Sequence, residues 1–332
     1  MTDAPKTPTI LSIYRAHAVV DWISIVVTPQ GPTQFQWIQR ELSAILNLTP
    51  GKRIHVKPCA GAPGSDLVPY ALRFHDEHAN SIHELRRIMG ELGRRFPMAQ
   101  PPYVDGIELA LDFYQRKEGQ GDLLAMTRQL QESIAAYDGN PRLYAPDMKR
   151  MDVLGGGKHG TRIDPTKTMR IGHNSADLQW RVYFKTTDEV KTKQGTTVRH
   201  LPPAQHRARA EVTLSRQALA QHTGIERIGL DDLAQLKFET FAKDHLQFLR
   251  FKPFVAAPGS VMEQACAIGL TCVARGMGRM KTRKVDPETG EVKYSRARKH
   301  SRMTEAHPEL NQIARNKLRD LTAAFGKEIC RN

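Results

Sequence analysis

Residues 106–114 read GIELALDFY, and their alternation sets the fold class. On an extended backbone Ile107, Leu109, Leu111 and Phe113 face one way, while Glu108, Ala110 and Asp112 face the other, because strand side chains alternate with period two. The first side suits a core. The second carries two carboxylates about 13–14 Å apart by strand rise, too far to bind one ion unless the strand bends or bulges. A solvated face of a half-buried strand is the plain alternative.

Two later stretches have the same construction. In WRVYFK at 180–185, Trp180, Val182 and Phe184 oppose Arg181, Tyr183 and Lys185; in HRARAEVTL at 206–214, Ala208, Ala210, Val212 and Leu214 oppose Arg207, Arg209, Glu211 and Thr213. Further strands are expected at Val19–Thr28, Val68–Phe74 and Thr168–His173. Between them lie helical stripes with apolar residues every three or four positions. One follows Thr33 and Gln36, which have capping-box spacing, with Phe35, Ile38, Leu42 and Ile45 on one side. Others cover Ser81–Phe96, Asp122–Tyr137, 216–222 and 231–249. The expected class is α+β: a largely antiparallel β sheet with helices on one face.

The rest of the chain sets the organisation. Residues 1–17, rich in proline, read as a tail, and 18–252 as the main domain. Residues 253–332 read as carboxy-terminal helices, one opening at Ser260 and Glu263 and one at Pro308–Phe325, around a basic arm at 275–302. The 332-residue chain has 49 Lys and Arg against 35 Asp and Glu, a formal +14, and the arm supplies +7 of it in 28 residues. Asp286 to Gly290 inside the arm reads as a hairpin turn. Such a charge points to a polyanionic partner, nucleic acid before an anionic membrane. No apolar run reaches the roughly 20 residues of a spanning helix. Cys59, Cys266, Cys272 and Cys330 share no CxxC spacing, which argues against a cysteine zinc site or disulfide framework and fits a reducing cytoplasm.

Three groups of residues could carry chemistry. Tyr183 between Arg181 and Lys185 is suited to attack on a phosphodiester, since neighbouring cations favour the phenolate and attract phosphate. An exposed tyrosine that only contacts DNA has the same pattern. Arg207 and Arg209 could clamp a phosphate, and Glu211 could bind a metal, act as a base or pair with an arginine. The glycine-rich Gly155–Gly160 lacks the Lys-Ser/Thr pair of a phosphate loop. His75, Asp76, His78 and His83 match no zinc signature.

Taken in order, DWISI at 21–25, GIELALDF at 106–113, MRIGHNSADLQWRVYFK at 169–185 and RARAEVTL at 207–214 resemble the rolling-circle replication initiation factor family of plasmid initiators and filamentous-phage replication proteins. The resemblance covers about residues 19–250. Glu108, Ala110 and Asp112 fall on its acidic strand, Gly172 and Ser175 near its turn, Arg181, Tyr183 and Lys185 on its tyrosine strand, and Arg209 and Glu211 on its last strand. Glu108 stands where that family has Asp, Gly106 where it often has a basic residue, and Gly172 and Ser175 are closer together than in the family.

The resemblance implies a rolling-circle-initiator-like fold and a nicking-closing endonuclease of a phage or plasmid, acting in a bacterial cytoplasm. Tyr183 would be the nucleophile, forming a 5′-phosphotyrosine and a free 3′-hydroxyl, with Lys185 beside it. Glu108, Asp112 and Glu211 would hold Mg²⁺ or Mn²⁺, oxygen-seeking cations. Arg181, Arg207 and Arg209 would hold phosphate, and Arg279, Lys281, Arg283, Lys284, Arg296, Arg298 and Lys299 of the arm would grip origin DNA. A host helicase is an expected partner, and the oligomeric state stays open, a homodimer included. The runner-up is a DNA-binding protein without catalysis; an RNA-binding module is a third class, short of the exposed aromatic pairs of an RRM.

Overall fold

The computed structural model describes residues 10–49, 54–61, 66–78, 80–135, 142–144, 151–153, 163–172, 177–192, 195–252, 283–285, 292–294 and 304–326. In chain order the strands are β1 (Tyr14–Pro29), β2 (His55–Pro58), β3 (Tyr70–His75), β4 (Met98–Gln115), β5 (Arg142–Tyr144), β6 (Met151–Val153), β7 (Thr168–Ile171), β8 (Leu178–Lys185), β9 (Thr187–Thr192), β10 (Gly195–His200), β11 (Arg207–Ser215), β12 (Leu249–Phe251), β13 (Arg283–Val285), β14 (Val292–Tyr294) and β15 (Thr304–Ala306). The helices are α1 (Phe35–Ile45), α2 (Ile82–Arg95), α3 (Leu123–Ser133), α4 (Arg216–Thr223), α5 (Leu230–Gln235), α6 (Glu239–Asp244) and α7 (Pro308–Gly326).

Nine strands form one sheet in the order β2-β3-β1-β4-β11-β8-β7-β5-β6, with every described pairing antiparallel. The period-two reading of β4, β8 and β11 holds: Ile107, Leu109, Leu111, Phe113, Val182, Val212 and Leu214 all enter one hydrophobic cluster, with Leu85 and Leu92 of α2, Met126 and Leu130 of α3 and Phe241 of α6. The protein is therefore α+β, an antiparallel sheet with helices over its apolar face.

Local physics explains most helix ends. Ser81 accepts a hydrogen bond from Glu84 N at 3.2 Å, and Asp122 one from Leu124 N at 2.8 Å, satisfying amides that a first turn leaves unpaired. The expected Thr33 cap does not form. The Thr33 hydroxyl donates to Gly31 O instead, and Gln34 caps α1 without a side-chain bond. The helix expected at 231–249 is broken into α5 and α6 and ends before β12. Across the break Phe238, Phe241, Leu246 and Phe248 all reach the core.

The ends of the chain also depart from expectation. Strand β1 begins at buried Tyr14, inside the stretch read as tail, and the Tyr14 hydroxyl donates to Asp122 O at 2.8 Å. Helix α7 forms as its stripe predicts, but it is no appendage. Leu310, Ala314, Leu318 and Phe325 join the main cluster, and β15 pairs with β12. A boundary at 252 therefore does not separate the core from the carboxy-terminal helix. In the arm, β13 and β14 pair antiparallel; the turn expected at Asp286 to Gly290 and the helix expected near 260–273 lie outside the described residues.

Candidate functional site

The polar face of the four central strands gathers the site. Cross-strand register aligns Arg209 with Asp112 on β4 and Tyr183 on β8, Glu211 with Ala110 and Arg181, and Thr213 with Glu108. Gly172 helps to set this register. It turns between β7 and β8 at φ 92°, a left-handed backbone that favours glycine, and a Cβ there would stand 2.6 Å from Leu178 O.

Asp21 arrives through an irregularity. On β1 the pairing steps from Val20↔Leu109 to Trp22↔Glu108, so Asp21 is an extra residue opposite Glu108. Such a bulge re-aims a side chain. Carboxylate oxygens of Asp21, Glu108 and Glu211 thereby lie within 4.8 Å of one another. Asp21, and not Asp112, is the third carboxylate beside Glu108 and Glu211.

Asp112 does something else. Arg209 grips it with two parallel bonds, Nε to Oδ1 and Nη2 to Oδ2, both 2.6 Å, and Arg207 Nε lies 3.2 Å from Oδ2. Arg209 Nη1 also reaches Asp21 at 2.5 Å and Glu211 at 3.3 Å. Arg209 is thus a buried hub holding the carboxylates in place. Arg181 Nη2 bridges Glu108 Oε1 at 2.8 Å and Glu211 Oε2 at 2.7 Å. Thr213 donates its hydroxyl to Glu108 Oε2.

Tyr183 sits on the same face, half-buried, and its hydroxyl donates to Glu211 Oε1 at 2.7 Å. Burial and the Glu211 carboxylate hold the phenol well above its ordinary pKa, overriding Arg209 and Arg181. The cations flanking Tyr183 therefore do not leave it as a phenolate. Its proton is instead directed at a carboxylate. Lys185 lies 3.0 Å from Asp188.

The electrostatics describe a site short of positive charge. Burial, then the Glu211 charge, pushes the Glu108 carboxyl up to about 7, although Arg181 and Thr213 oppose the rise. Burial also works against ionised Asp21, but Arg209, with Lys185 and Arg181, holds it below the usual range. Glu211 Oε2 lies beside Arg181 yet accepts no aligned hydrogen bond. Three converging carboxylates, one pushed toward protonation and one with an unsatisfied oxygen, fit a hard divalent cation.

The structure therefore brings together Tyr183, Arg181, Arg209, Glu108 and Glu211, and sets Asp112 and Arg207 in the adjoining ion-pair layer. Of the arm residues, Arg283 and Lys284 fall on β13, while Arg279, Lys281, Arg296, Arg298 and Lys299 lie outside the described residues, as does Ser175. Sequence alone assigns no role to Asp21. Its signals are that it opens the DWISI stretch of the resemblance and is a lone acid inside the apolar run VVDWISIVV.

No family model and no curated protein matches the chain. A solved structure titled as a rolling circle replication initiator protein from Geobacillus stearothermophilus is similar at 13% identity and a TM-score of 0.29, over 94% of this chain and 99% of that one. The fold class rests on the sheet described above and the chemistry on the site. No helix among the described residues is long and apolar enough to cross a membrane.

Proposed function

We propose that this protein is a rolling-circle replication initiator that nicks one strand of its origin DNA through Tyr183. The observation that carries the reading is the 2.7 Å hydrogen bond from the Tyr183 hydroxyl to Glu211, a member of the three-carboxylate cluster with Asp21 and Glu108. A nucleophile in contact with a base beside a metal-ready cluster is what phosphoryl transfer requires.

In the proposed reaction the Tyr183 oxygen forms a bond to the scissile phosphorus as its proton passes to Glu211. The bond from phosphorus to O3′ breaks, and the leaving oxygen takes a proton from water to become the 3′-hydroxyl that primes synthesis. The 5′-phosphotyrosine keeps the phosphodiester's energy, so the reverse attack can rejoin ends. Asp21, Glu108 and Glu211 would hold Mg²⁺ or Mn²⁺, which would polarise a phosphate oxygen and offset transition-state charge. Arg181 contributes further positive charge on the same face. Asp112 and Arg207 position Arg209, and Arg209 positions the carboxylates. The basic arm would add phosphate contacts, and a host helicase would open the duplex after the nick.

The test uses supercoiled DNA carrying the cognate origin with Mn²⁺. The wild-type protein should nick it and become covalently attached, and Tyr183→Phe should bind and do neither. Persistent adduct in Tyr183→Phe would move the nucleophile to Tyr114 or Tyr144. Wild-type protein that shifts DNA mobility without nicking it would make this a DNA-binding protein without catalysis.

A further inference from the structure

Beyond the carboxylates, the same sheet face changes character. Continuing outward from Arg181, the register pairs it with Arg170 on β7, and Arg170 with Arg142 on β5. Three guanidinium-bearing residues thus stand in one row across three strands, roughly 4.8 Å apart at the backbone. The row lies on the polar face, since the intervening Leu143, Met169 and Val182 are fully buried in the core.

Like charges directly opposite each other destabilise a sheet unless something compensates them. Arg181 is compensated by Glu108 and Glu211. Among the described residues, Arg170 and Arg142 form no ion pair with a carboxylate. Arg170 lies over the Tyr144 ring at 5.1 Å, and its Nε is buried with no hydrogen-bond partner. Burial, then the neighbouring Arg181 charge, lowers the Arg170 pKa, as expected for a cation awaiting an anion.

We propose that Arg170 and Arg142, with Tyr144 beside them, form a track for the phosphodiester backbone of single-stranded DNA leading from the cleavage site across β7 to β5, toward the β6 edge of the sheet. The charge is complementary, the row is continuous with Arg181, and Tyr144 offers an aromatic surface beside the cations, the combination that single-strand grooves use. This rests on the nicking reading and adds the route of the strand.

The experiment measures binding of a fluorescein-labelled oligothymidylate as a function of salt, in a Tyr183→Phe background so that no adduct forms. Each lost phosphate contact should lower the slope of log affinity against log salt by about 0.7 for a single strand, so Arg142→Gln with Arg170→Gln should lower it by about 1.4. The matched control is Arg94→Gln with Lys237→Gln, which removes equal charge from exposed positions on the helical side. The Arg→Lys pair should keep the slope. If the double variant does not fold, Arg142→Gln alone should lower the slope by about 0.7.

With Tyr183 restored and origin DNA as substrate, the Gln variants should raise the DNA concentration for half-maximal adduct and leave the plateau unchanged. An unchanged slope, or an equal fall in the control, overturns the track. A reduced slope together with a wild-type protein that forms no adduct leaves the track standing and removes the nicking reading.

Discussion

The two faces of β1, β4, β11 and β8 are equally buried at their centre and are held together in opposite ways. On one, Leu109, Leu111, Phe113 and Val212 have no exposed surface; on the other, Glu108, Asp112, Arg209 and Glu211 are exposed by 2%, 1%, 2% and 1%. The apolar face gains from many small, non-directional contacts, so a lost methyl group is a local loss. The polar face is a chain of charge-assisted bonds in which four carboxylates, Asp21, Glu108, Asp112 and Glu211, share Arg181, Arg207 and Arg209. Arg181 serves two carboxylates and Arg209 three, so one arginine has several dependants. Burial of charge is costly unless paired, so the polar face is a poor way to gain stability and a good way to fix geometry.

Arg209→Met should break the comparison most severely. It removes the bidentate partner of Asp112 and the contacts to Asp21 and Glu211, leaving buried charge without compensation. The expected loss is about 3–5 kcal/mol, read as a lowered urea midpoint. A loss below about 1 kcal/mol would mean that water already solvates these carboxylates, and the two faces would then differ in composition rather than in kind.

Period-two alternation exposed both faces in the sequence, because each strand states its own inside and outside without reference to its neighbours. Glu108, Glu211, Arg181, Arg209 and Tyr183 were legible for that reason. The role of Asp21 was not: a bulge is a property of two strands in register, and nothing within VVDWISIVV announces it. The family resemblance assigns Asp112 to the metal against its spacing from Glu108, whereas the arginine opposite it on β11 decides what it binds. The break between α5 and α6 was hidden because an apolar-rich segment fits a helical stripe until tertiary packing demands more than one direction. Helix α7 was legible as a helix, but its return to the core depends on surfaces far away in the chain.

The next effect sharpens the contrast through pH. Glu108 has an ordinary pKa of 4.5 and is pushed up to about 7 in the fold. The folded state therefore binds more protons than the unfolded one between these values, and stability should fall as pH rises through that window. The loss is about 3 kcal/mol by pH 8. Glu108→Gln should flatten this dependence and be the more stable protein at pH 8 without metal. Saturating Mg²⁺ should offset the loss in the wild type, by about 2.7 kcal/mol at a hundred times its Kd, and do little for the variant. Parallel pH profiles of the two proteins in urea denaturation would show that Glu108 ionises without cost.

Ile107→Val carries the smallest effect and tests the other face. Ile107 is fully buried directly beside Glu108, pairing with Ile23 across β1 and β4, so it is as close to the candidate site along the chain as any apolar residue. Removing one methylene should cost about 0.5–1.5 kcal/mol. That cost should be the same at pH 5 and pH 8, and should not alter Mg²⁺ stabilisation or origin nicking, because the change touches packing and no charge. A pH-dependent cost, or weakened Mg²⁺ stabilisation, would show that the apolar packing sets the approach of the carboxylates. The faces would then act as one mechanical unit, with the core of β4 deciding how closely Glu108 can stand to Asp21 and Glu211.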